Sequence, residues 1–152
     1  MTVTIRPIEQ SDKSQYSSLF AAYLVFYKAQ LPEKILEKTW ERFFDDKEPV
    51  YAAVAFDDES PEKLIGFVTY VFHRSTWQYN DVIYLHDLFV DPEVRSRGTG
   101  RKLIEYVYGE ADKHEVAKVY WHTQIFNHRA QLLYTKVGVR DDFVSYQRPA
   151  KK

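Results

Sequence analysis

Two glycines and four basic residues stand together where a helical pattern begins, and their types suit the binding of a phosphate group. The glycines are Gly98 and Gly100, and the cations are Arg95, Arg97, Arg101 and Lys102. Glycines let backbone N–H groups approach a ligand closely, and the first turn of a helix leaves several N–H groups without an acceptor. Cations at this positive end of a helix are unfavourable, by up to ~1 kcal/mol each, unless an anion neutralises them. The cluster therefore predicts an anion site, with a solvated basic surface as the alternative.

The spacing of the glycines excludes two common phosphate-binding loops. A Walker A loop requires Gly-x-x-x-x-Gly-Lys followed by Ser or Thr, and the chain has no such run. The dinucleotide fingerprint requires a third glycine at the position of Leu103. A loop of the form Arg-x-x-Gly-x-Gly after a strand that ends at Val90 indicates a different phosphate ligand.

Apolar runs and helical periodicities define the elements that position this loop. They predict strands at 3–7, 50–56, 63–72, 82–90, 118–123 and 143–147, and helices from near residue 13 and at 33–44, 98–114 and 129–137. Strands mixed with helices throughout indicate an α/β or α+β sheet protein whose helices cover the sheet. A chain of 152 residues without a linker or repeat fits a single domain, 1–152.

Composition narrows the classes of function. A formal net charge of −1 does not favour a nucleic-acid binder, and no apolar run of ~18 residues is present to span a membrane. The start of the chain lacks the pattern of a secretory signal, so a cytoplasmic or nuclear location is expected. The absence of cysteine excludes disulfides, zinc–thiolate sites and a covalent thioester on the protein.

Two motifs resemble those of the GNAT superfamily of N-acetyltransferases. Residues 95–100, Arg-Ser-Arg-Gly-Thr-Gly, are similar to the family's acyl-CoA pyrophosphate loop. Residues 127–138, Asn-His-Arg-Ala-Gln-Leu-Leu-Tyr-Thr-Lys-Val-Gly, match its second motif in the right order. The predicted strand residues 83–90, Ile-Tyr-Leu-His-Asp-Leu-Phe-Val, and the second motif look most like those of a small fungal group of histone or D-amino-acid N-acetyltransferases. Polyamine and thialysine acetyltransferases are similar in the strand but carry an acidic residue where this chain has His86.

The resemblance implies a mixed, mostly antiparallel central sheet flanked by helices, in which two central strands splay apart and acetyl-CoA binds. Backbone groups of the strand hold pantetheine and polarise the thioester, the glycine loop holds the pyrophosphate, and the second motif contacts the pantetheine arm from the other wall. The residues assigned in this way to acetyl-CoA are Leu88, Phe89, Val90, Arg95, Ser96, Arg97, Gly98, Thr99, Gly100, Arg101, Asn127 and Arg129.

The resemblance also implies direct attack of an amine on the thioester in a ternary complex. Tyr134 protonates the departing thiolate, for which a phenol of pKa ~10 and a thiol of pKa ~8.5 are suitably close; packing in a helix is the alternative role. Candidate bases for the amine are His86 and Asp87, and a water chain is a further possibility. Since neighbouring strand residues face opposite sides, we expect one of the two to face the substrate. Structural roles for both residues stay open.

The other histidines and several aromatic residues indicate a functional role less clearly than the two motifs do. His73, His114, His122 and His128 lack the spacing of a metal site, so no metal is predicted. The aromatic residues Tyr23, Phe26, Tyr27 and Trp77 form either an acceptor wall or part of the core.

The sequence thus predicts an acetyl-CoA-dependent N-acetyltransferase that acts on the primary amine of a small molecule, either an amino acid, including D-amino acids, or a polyamine-like compound. A histone or protein lysine acetyltransferase is the second hypothesis, since acidic runs such as Asp45-Asp46 are able to attract a basic tail. A non-catalytic acyl-CoA-binding module is the third. No nucleic-acid or membrane partner is expected, and a homodimer is expected because members of the family often dimerise.

Overall fold

The computed structural model describes residues 2–94 and 98–151, and the elements follow largely the predicted order. They are β1 (Val3–Pro7), α1 (Lys13–Phe26), α2 (Glu33–Phe43), β2 (Val50–Asp57), β3 (Ser60–His73), β4 (Val82–Val90), α3 (Thr99–Lys113), β5 (Val119–Tyr120) and α4 (His128–Val137). Short 3-10 turns occupy Gln10–Asp12 and Pro92–Val94. None of the helices in the described ranges has the length and apolar character needed to cross a membrane.

The five strands form one sheet in the order β1-β2-β3-β4-β5. Every pairing is antiparallel except that of β4 with β5, which is parallel. The predicted mixed, mostly antiparallel sheet flanked by helices is therefore confirmed. The parallel pairing is short: Ile83 lies opposite Val119 and Tyr84 opposite Tyr120, where β5 ends. From Leu85 onward, β4 has a strand neighbour only on its β3 side within the described residues, because β5 ends at Tyr120.

Helices pack on the sheet and bury alternating residues of its strands. On one side α1 and α2 contribute Tyr16, Leu19, Phe20 and Trp40 to a core that includes Val54, Phe67 and Phe89 of the strands. Ala53 and Ala55, which alternate with Val54 on β2, are also fully buried. Because alternate strand residues face opposite sides, both faces of β2 are covered. Helix α3 contacts β1 to β4 and buries Leu103, Ile104 and Val107 completely.

The chain divides into two compact units, Met1–His122 and Thr123–Lys152. The first contains the whole sheet with α1, α2 and α3, and the second contains α4 and the C-terminal segment. That the entire chain forms one domain stays a prediction.

Two predicted strands differ in the structure. The strand predicted at 118–123 is limited to Val119–Tyr120. The strand predicted at 143–147 was wrong, because residues 139–151 contain no strand. Its apolar side chains Phe143, Val144 and Tyr146 are all exposed. A strand needs a neighbour to pair its backbone groups, and alternation in the sequence does not reveal whether one is available.

Candidate active site

Asp87 on β4 is a mostly buried carboxylate whose two oxygens are both held by hydroxyl groups. Tyr23 on α1 donates a hydrogen bond to Oδ1 at 2.8 Å, and Thr69 on β3 donates one to Oδ2 at 2.6 Å. The Asp87 side chain is 15% exposed. Burial acts to raise the pKa of Asp87, but the interactions with His86, Thr69 and Tyr23 outweigh it, so the pKa lies below the usual value. Asp87 is therefore a fixed negative charge.

His86 lies beside this carboxylate and faces solvent. Its Nδ1 is 3.2 Å from Oδ1 of Asp87, and its side chain is 57% exposed. The hydrogen-bonding interaction with Asp87 raises the pKa of His86, and partial burial opposes this effect without cancelling it. With Nδ1 turned to the carboxylate, Nε2 is the atom of the neutral ring that is able to accept a proton.

A bulge in β4 brings these two neighbouring residues together. Asp87 lies opposite Thr69, whereas Leu85 lies opposite Tyr70, so His86 is an extra residue without a partner on β3. A bulge interrupts strict alternation and redirects a side chain. The expectation that His86 and Asp87 face opposite sides was wrong for this reason, since the two side chains contact each other.

The strand residues assigned to pantetheine lie on the part of β4 that follows its short pairing with β5. Leu88 and Phe89 lie opposite Val68 and Phe67 of β3, and Val90 lies opposite Gly66. A Cβ atom at Gly66 would be 2.8 Å from the carbonyl oxygen of Phe89, so glycine is required for this close approach of the strands. The other edge of β4 has no strand partner here within the described residues. An extended ligand arm fits such an open edge, as an added strand does.

The glycine loop leads into α3, as predicted. Gly98 is the residue before the helix and has φ 74°, a left-handed conformation that glycine adopts without strain. The first helical bond that the structure records here runs from the N–H of Lys102 to the oxygen of Gly98. The N–H groups of Thr99, Gly100 and Arg101 therefore have no acceptor inside the helix. The buried Oγ1 of Thr99 also lacks a hydrogen-bond partner in the described parts of the chain.

The cations expected at this site are only partly described. Arg95, Ser96 and Arg97 lie outside the described residues, so their assigned roles stay predictions. Arg101 donates to Glu105 at 2.7 Å along the helix, and Lys102 donates to the carbonyl oxygen of Val3 at 3.1 Å. Among the described residues, a role in phosphate binding therefore falls to backbone N–H groups more than to these two side chains.

The second compact unit carries the remaining predicted residues. Asn127 caps α4, with its Oδ1 accepting a hydrogen bond from the N–H of Ala130 at 3.2 Å, which leaves its Nδ2 as a donor. Arg129 is exposed in the first turn of α4, and Tyr134 is half-buried in the same helix. Asn127 thus starts the helix that carries Tyr134, and the roles assigned to these three residues stay predictions.

The aromatic residues singled out in the sequence divide between core and surface. The ring of Tyr23 packs 5.8 Å from Phe67 and 5.9 Å from Phe89, while Phe26 is half-exposed and Trp77 is 91% exposed. Tyr27 contacts Tyr23 at 4.9 Å between ring centroids. Within the described ranges, no group of three or more His, Asp or Glu side chains is arranged to hold a metal.

Sequence analysis missed Thr69 and the contact of Tyr23 with Asp87. Thr69 is in a run of apolar strand residues, where a threonine carries no signal of function until the register with β4 is known. Tyr23 was noted for its ring alone, because helical spacing shows the face of a residue but not the partner of its hydroxyl group.

Comparison with known proteins matches this chain to acetyltransferases. The sequence model of the acetyltransferase (GNAT) family matches residues 15–139. The chain is 40% identical over 146 residues to the D-amino-acid N-acetyltransferase HPA3 of Saccharomyces cerevisiae, covering 96% of this chain and 90% of that protein. It is 35% identical over 78 residues to the thialysine N-epsilon-acetyltransferase of Bos taurus, covering 51% and 45% of the two chains.

Solved structures share the fold. The ribosomal-protein-alanine N-acetyltransferase of Brucella melitensis biovar Abortus 2308 superposes with a TM-score of 0.80 at 19% identity, over 99% of this chain and 100% of that one. A probable acetyltransferase superposes with a TM-score of 0.83 at 23% identity, over 100% and 99% of the two chains. At such identities the likeness extends to the fold alone.

Proposed function

Because this chain belongs to the GNAT family of acetyltransferases and is an N-acetyltransferase, we propose that it transfers the acetyl group of acetyl-CoA to the primary amine of a free amino acid. Two relatives support a small acceptor: one is named for D-amino acids and the other for thialysine. The observation that carries the chemistry is the contact between Asp87 and His86 beside the open edge of β4. This arrangement combines a candidate base with an open strand edge for the acyl donor.

Acetyl-CoA supplies a thioester carbonyl that an amine attacks. The backbone of Leu88 to Val90 would hold and orient the pantetheine arm along the open edge of β4. The N–H groups of Thr99, Gly100 and Arg101, at the positive end of α3, would hold the pyrophosphate, for which such a helix start is suited. In this proposal the buried Oγ1 of Thr99 gains a partner on binding.

His86 is the proposed base. The amine of a free amino acid is protonated at neutral pH, so it must lose a proton before it attacks. The Nε2 atom of His86 takes this proton while Asp87 holds Nδ1 and stabilises the imidazolium. Asp87 acts through His86 and is a positioning residue, and Tyr23 and Thr69 fix its carboxylate.

Tyr134 is the proposed acid. Its phenol donates a proton to the sulfur of the departing thiolate, and Asn127 is proposed to donate from Nδ2 to the pantetheine arm. The cytoplasmic or nuclear location and the homodimer stay predictions.

The test is thiol release from acetyl-CoA with D- and L-amino acids, a polyamine, thialysine and a histone-tail peptide, with the mass of each product measured. We expect acetylated amino acids as the main products. Activity on the peptide alone would replace this proposal with a protein acetyltransferase. Tight binding of acetyl-CoA without turnover on any amine would favour a binding module.

A further inference from the structure

A second exposed imidazole, that of His122, lies near the proposed base. Tyr84 lies opposite Tyr120 in the parallel pairing of β4 with β5, and His122 follows Tyr120 by two residues. The ring of Tyr84 is 5.2 Å from that of His86 and 5.4 Å from that of His122. All of these residues belong to the first compact unit. His86 and His122 therefore both contact one tyrosine ring, and both are exposed.

His122 presents an N–H group that no described residue uses. The Oη atom of Tyr84 is 3.2 Å from Nδ1 of His122, and this is the hydrogen bond recorded for each of the two side chains within the described residues. Burial, followed by the nearby Tyr120 and Asp87, raises the pKa of Tyr84, so its hydroxyl group keeps the hydrogen that it donates to Nδ1. A neutral imidazole that accepts at Nδ1 carries its own hydrogen on Nε2. His122 therefore offers Nε2–H as a donor.

The charges differ between the surroundings of the two imidazoles. The carboxylate of Asp87 is 3.2 Å from Nδ1 of His86. On the side of His122 lies a cation instead: Nζ of Lys118 is 5.2 Å from the centre of the Tyr120 ring, which in turn lies 6.0 Å from the ring of His122. Such a distribution is complementary to a zwitterion, because its ammonium group is favoured near the carboxylate and its carboxylate near the basic groups.

The spacing of the two imidazoles also suits an amino acid. The rings of His86 and His122 are no farther apart than their two distances to the ring of Tyr84 combined. An amino acid that contacts one ring through its amine and the other through its carboxylate makes a hydrogen bond of ~2.7–3.2 Å at each end. The amine and the carboxylate of an α-amino acid are attached to the same carbon atom. Their separation is therefore similar for every side chain.

We propose that His122, positioned by Tyr84, binds the carboxylate of the amino-acid acceptor, an inference that rests on the proposed acetyl transfer. Nε2–H of His122 donates a hydrogen bond to a carboxylate oxygen, while the amine of the same molecule faces Nε2 of His86. No proton is transferred at His122, so it contributes to the affinity for the acceptor. His122 is then a specificity-determining residue that favours amino acids over amines without a carboxylate, and Tyr84 is a positioning residue.

Tyr120 offers a matched control because its hydroxyl group makes a similar bond to a different histidine. Its Oη is 2.7 Å from Nε2 of His73, and Nδ1 of His73 is 2.8 Å from the carbonyl oxygen of Arg74. A carbonyl only accepts, so Nδ1 of neutral His73 carries the hydrogen and Nε2 accepts the hydrogen of Tyr120. Removal of the Tyr120 hydroxyl group therefore breaks a tyrosine–histidine bond without affecting the one that holds His122.

The kinetic test measures kcat/KM for an amino acid and for its carboxamide, which keeps the α-amine and the side chain but lacks the negative charge. For the amino acid we expect His122→Ala to lower kcat/KM on the order of 10- to 100-fold through KM, and Tyr84→Phe to lower it less. For the carboxamide we expect a loss of about fivefold or less, since a bond to a neutral acceptor is weaker. Tyr120→Phe should change neither value. Equal losses for both acceptors, or an unaltered His122→Ala, would overturn the proposal.

A second measurement does not depend on turnover. The imidazole nitrogens of the protein bound to CoA, which has no acetyl group to transfer, are observed by NMR as the amino acid or its carboxamide is added. We expect His122 to carry its hydrogen on Nε2 and its signals to move with the amino acid more than with the carboxamide. Signals that do not move with the amino acid would contradict the contact. A wild-type protein that acetylates no amino acid would end the proposed function, whereas an active one with equal losses on both acceptors would end only the carboxylate site.

Discussion

At the scale of single residues, the candidate site depends on how one carboxylate is held. Asp87 receives hydrogen bonds from α1 and β3 and contacts the next residue of its own strand, so three elements meet at one side chain. A mostly buried charge is stable only with such partners. The arrangement fixes both the charge of Asp87 and the direction of the His86 ring, and kinetics can separate these two effects.

Replacement of Asp87 by Asn tests its influence on His86. The base must be neutral, so the rate rises as pH increases through the pKa of His86. Asp87 holds that pKa above the usual value of ~6.5. In Asp87→Asn we expect the rising limb of kcat/KM against pH to move to lower pH and its plateau to fall on the order of 10-fold or more. The exposed Asp112→Asn is the control, and an unmoved limb in Asp87→Asn would contradict the assignment.

Replacement of Tyr134 by Phe tests the proposed acid. The ring is kept, so packing of α4 should change little, whereas the proton for the thiolate is lost. We expect kcat to fall about 100-fold, the lower end for loss of general acid catalysis, with the dissociation constant of acetyl-CoA unchanged. The measurement is a steady-state assay combined with calorimetric titration of acetyl-CoA. Undiminished kcat would remove Tyr134 from the mechanism.

At the scale of elements, two irregularities of β4 create the site. The bulge at His86 allows neighbouring residues to act together, and the short pairing with β5 leaves the rest of the strand open. Gly98, in a left-handed conformation, then precedes helix α3, whose first N–H groups have no acceptor inside the helix. Regular pairing throughout would have alternated the two side chains and covered the edge along which the donor is proposed to lie.

Two glycines of the α3 region provide a matched test of the loop conformation. Among the residues that the structure describes, no atom lies within 4 Å of where a Cβ would stand at Gly98 or Gly109, so an alanine clashes with none of them. Gly98 has φ 74°, and Gly98→Ala should destabilise the protein by about 1 kcal/mol and weaken acetyl-CoA binding. Gly109 is inside the helix, and Gly109→Ala should stabilise by about 0.5–1 kcal/mol. Urea unfolding of both variants checks the signs, and equal effects would contradict the left-handed turn.

At the scale of the whole molecule, stability depends in part on an ion pair far from the site in sequence. Arg6 on β1 donates from both terminal nitrogens to Asp12, at 2.7 and 2.9 Å, and Asp12 also accepts from the N–H of Glu9. Asp12 is 4% exposed. The hydrogen bond to Arg6 lowers the pKa of Asp12 more than burial raises it. This network joins the first strand to the start of α1, the helix that carries Tyr23.

Asp12→Asn should therefore destabilise the protein in a manner that depends on pH. The folded pKa of Asp12 lies below the unfolded value of ~3.9, so the stabilisation is fully present above that pH and is lost as pH falls through the folded pKa. We expect a loss of about 2 kcal/mol at pH 7 that shrinks towards pH 3. Urea unfolding at both pH values measures it. A difference independent of pH would show that the charge is not responsible.

Sequence patterns predicted much of this architecture because most elements are regular. The run 82–90 and the glycine loop gave β4 and the start of α3 closely, since apolar patterning and glycine conformation are local properties. The contact of His86 with Asp87 was not predictable, because a bulge depends on register with β3. The prediction of a strand at 143–147 was wrong for a related reason. A strand pairs its backbone with a neighbouring strand, and the sequence of the segment does not show whether such a neighbour is present.

The most direct test of the account is a single-turnover measurement of acetyl transfer to an amino acid by wild type and His86→Gln, with acetyl-CoA at saturation. Glutamine keeps a polar side chain of similar reach but does not take up a proton at neutral pH. The account predicts a rate constant lower by about 100-fold or more in His86→Gln, with unchanged binding of acetyl-CoA. A rate constant within about threefold of wild type, well below the usual effect of losing a general base, would contradict the role of His86 as the base.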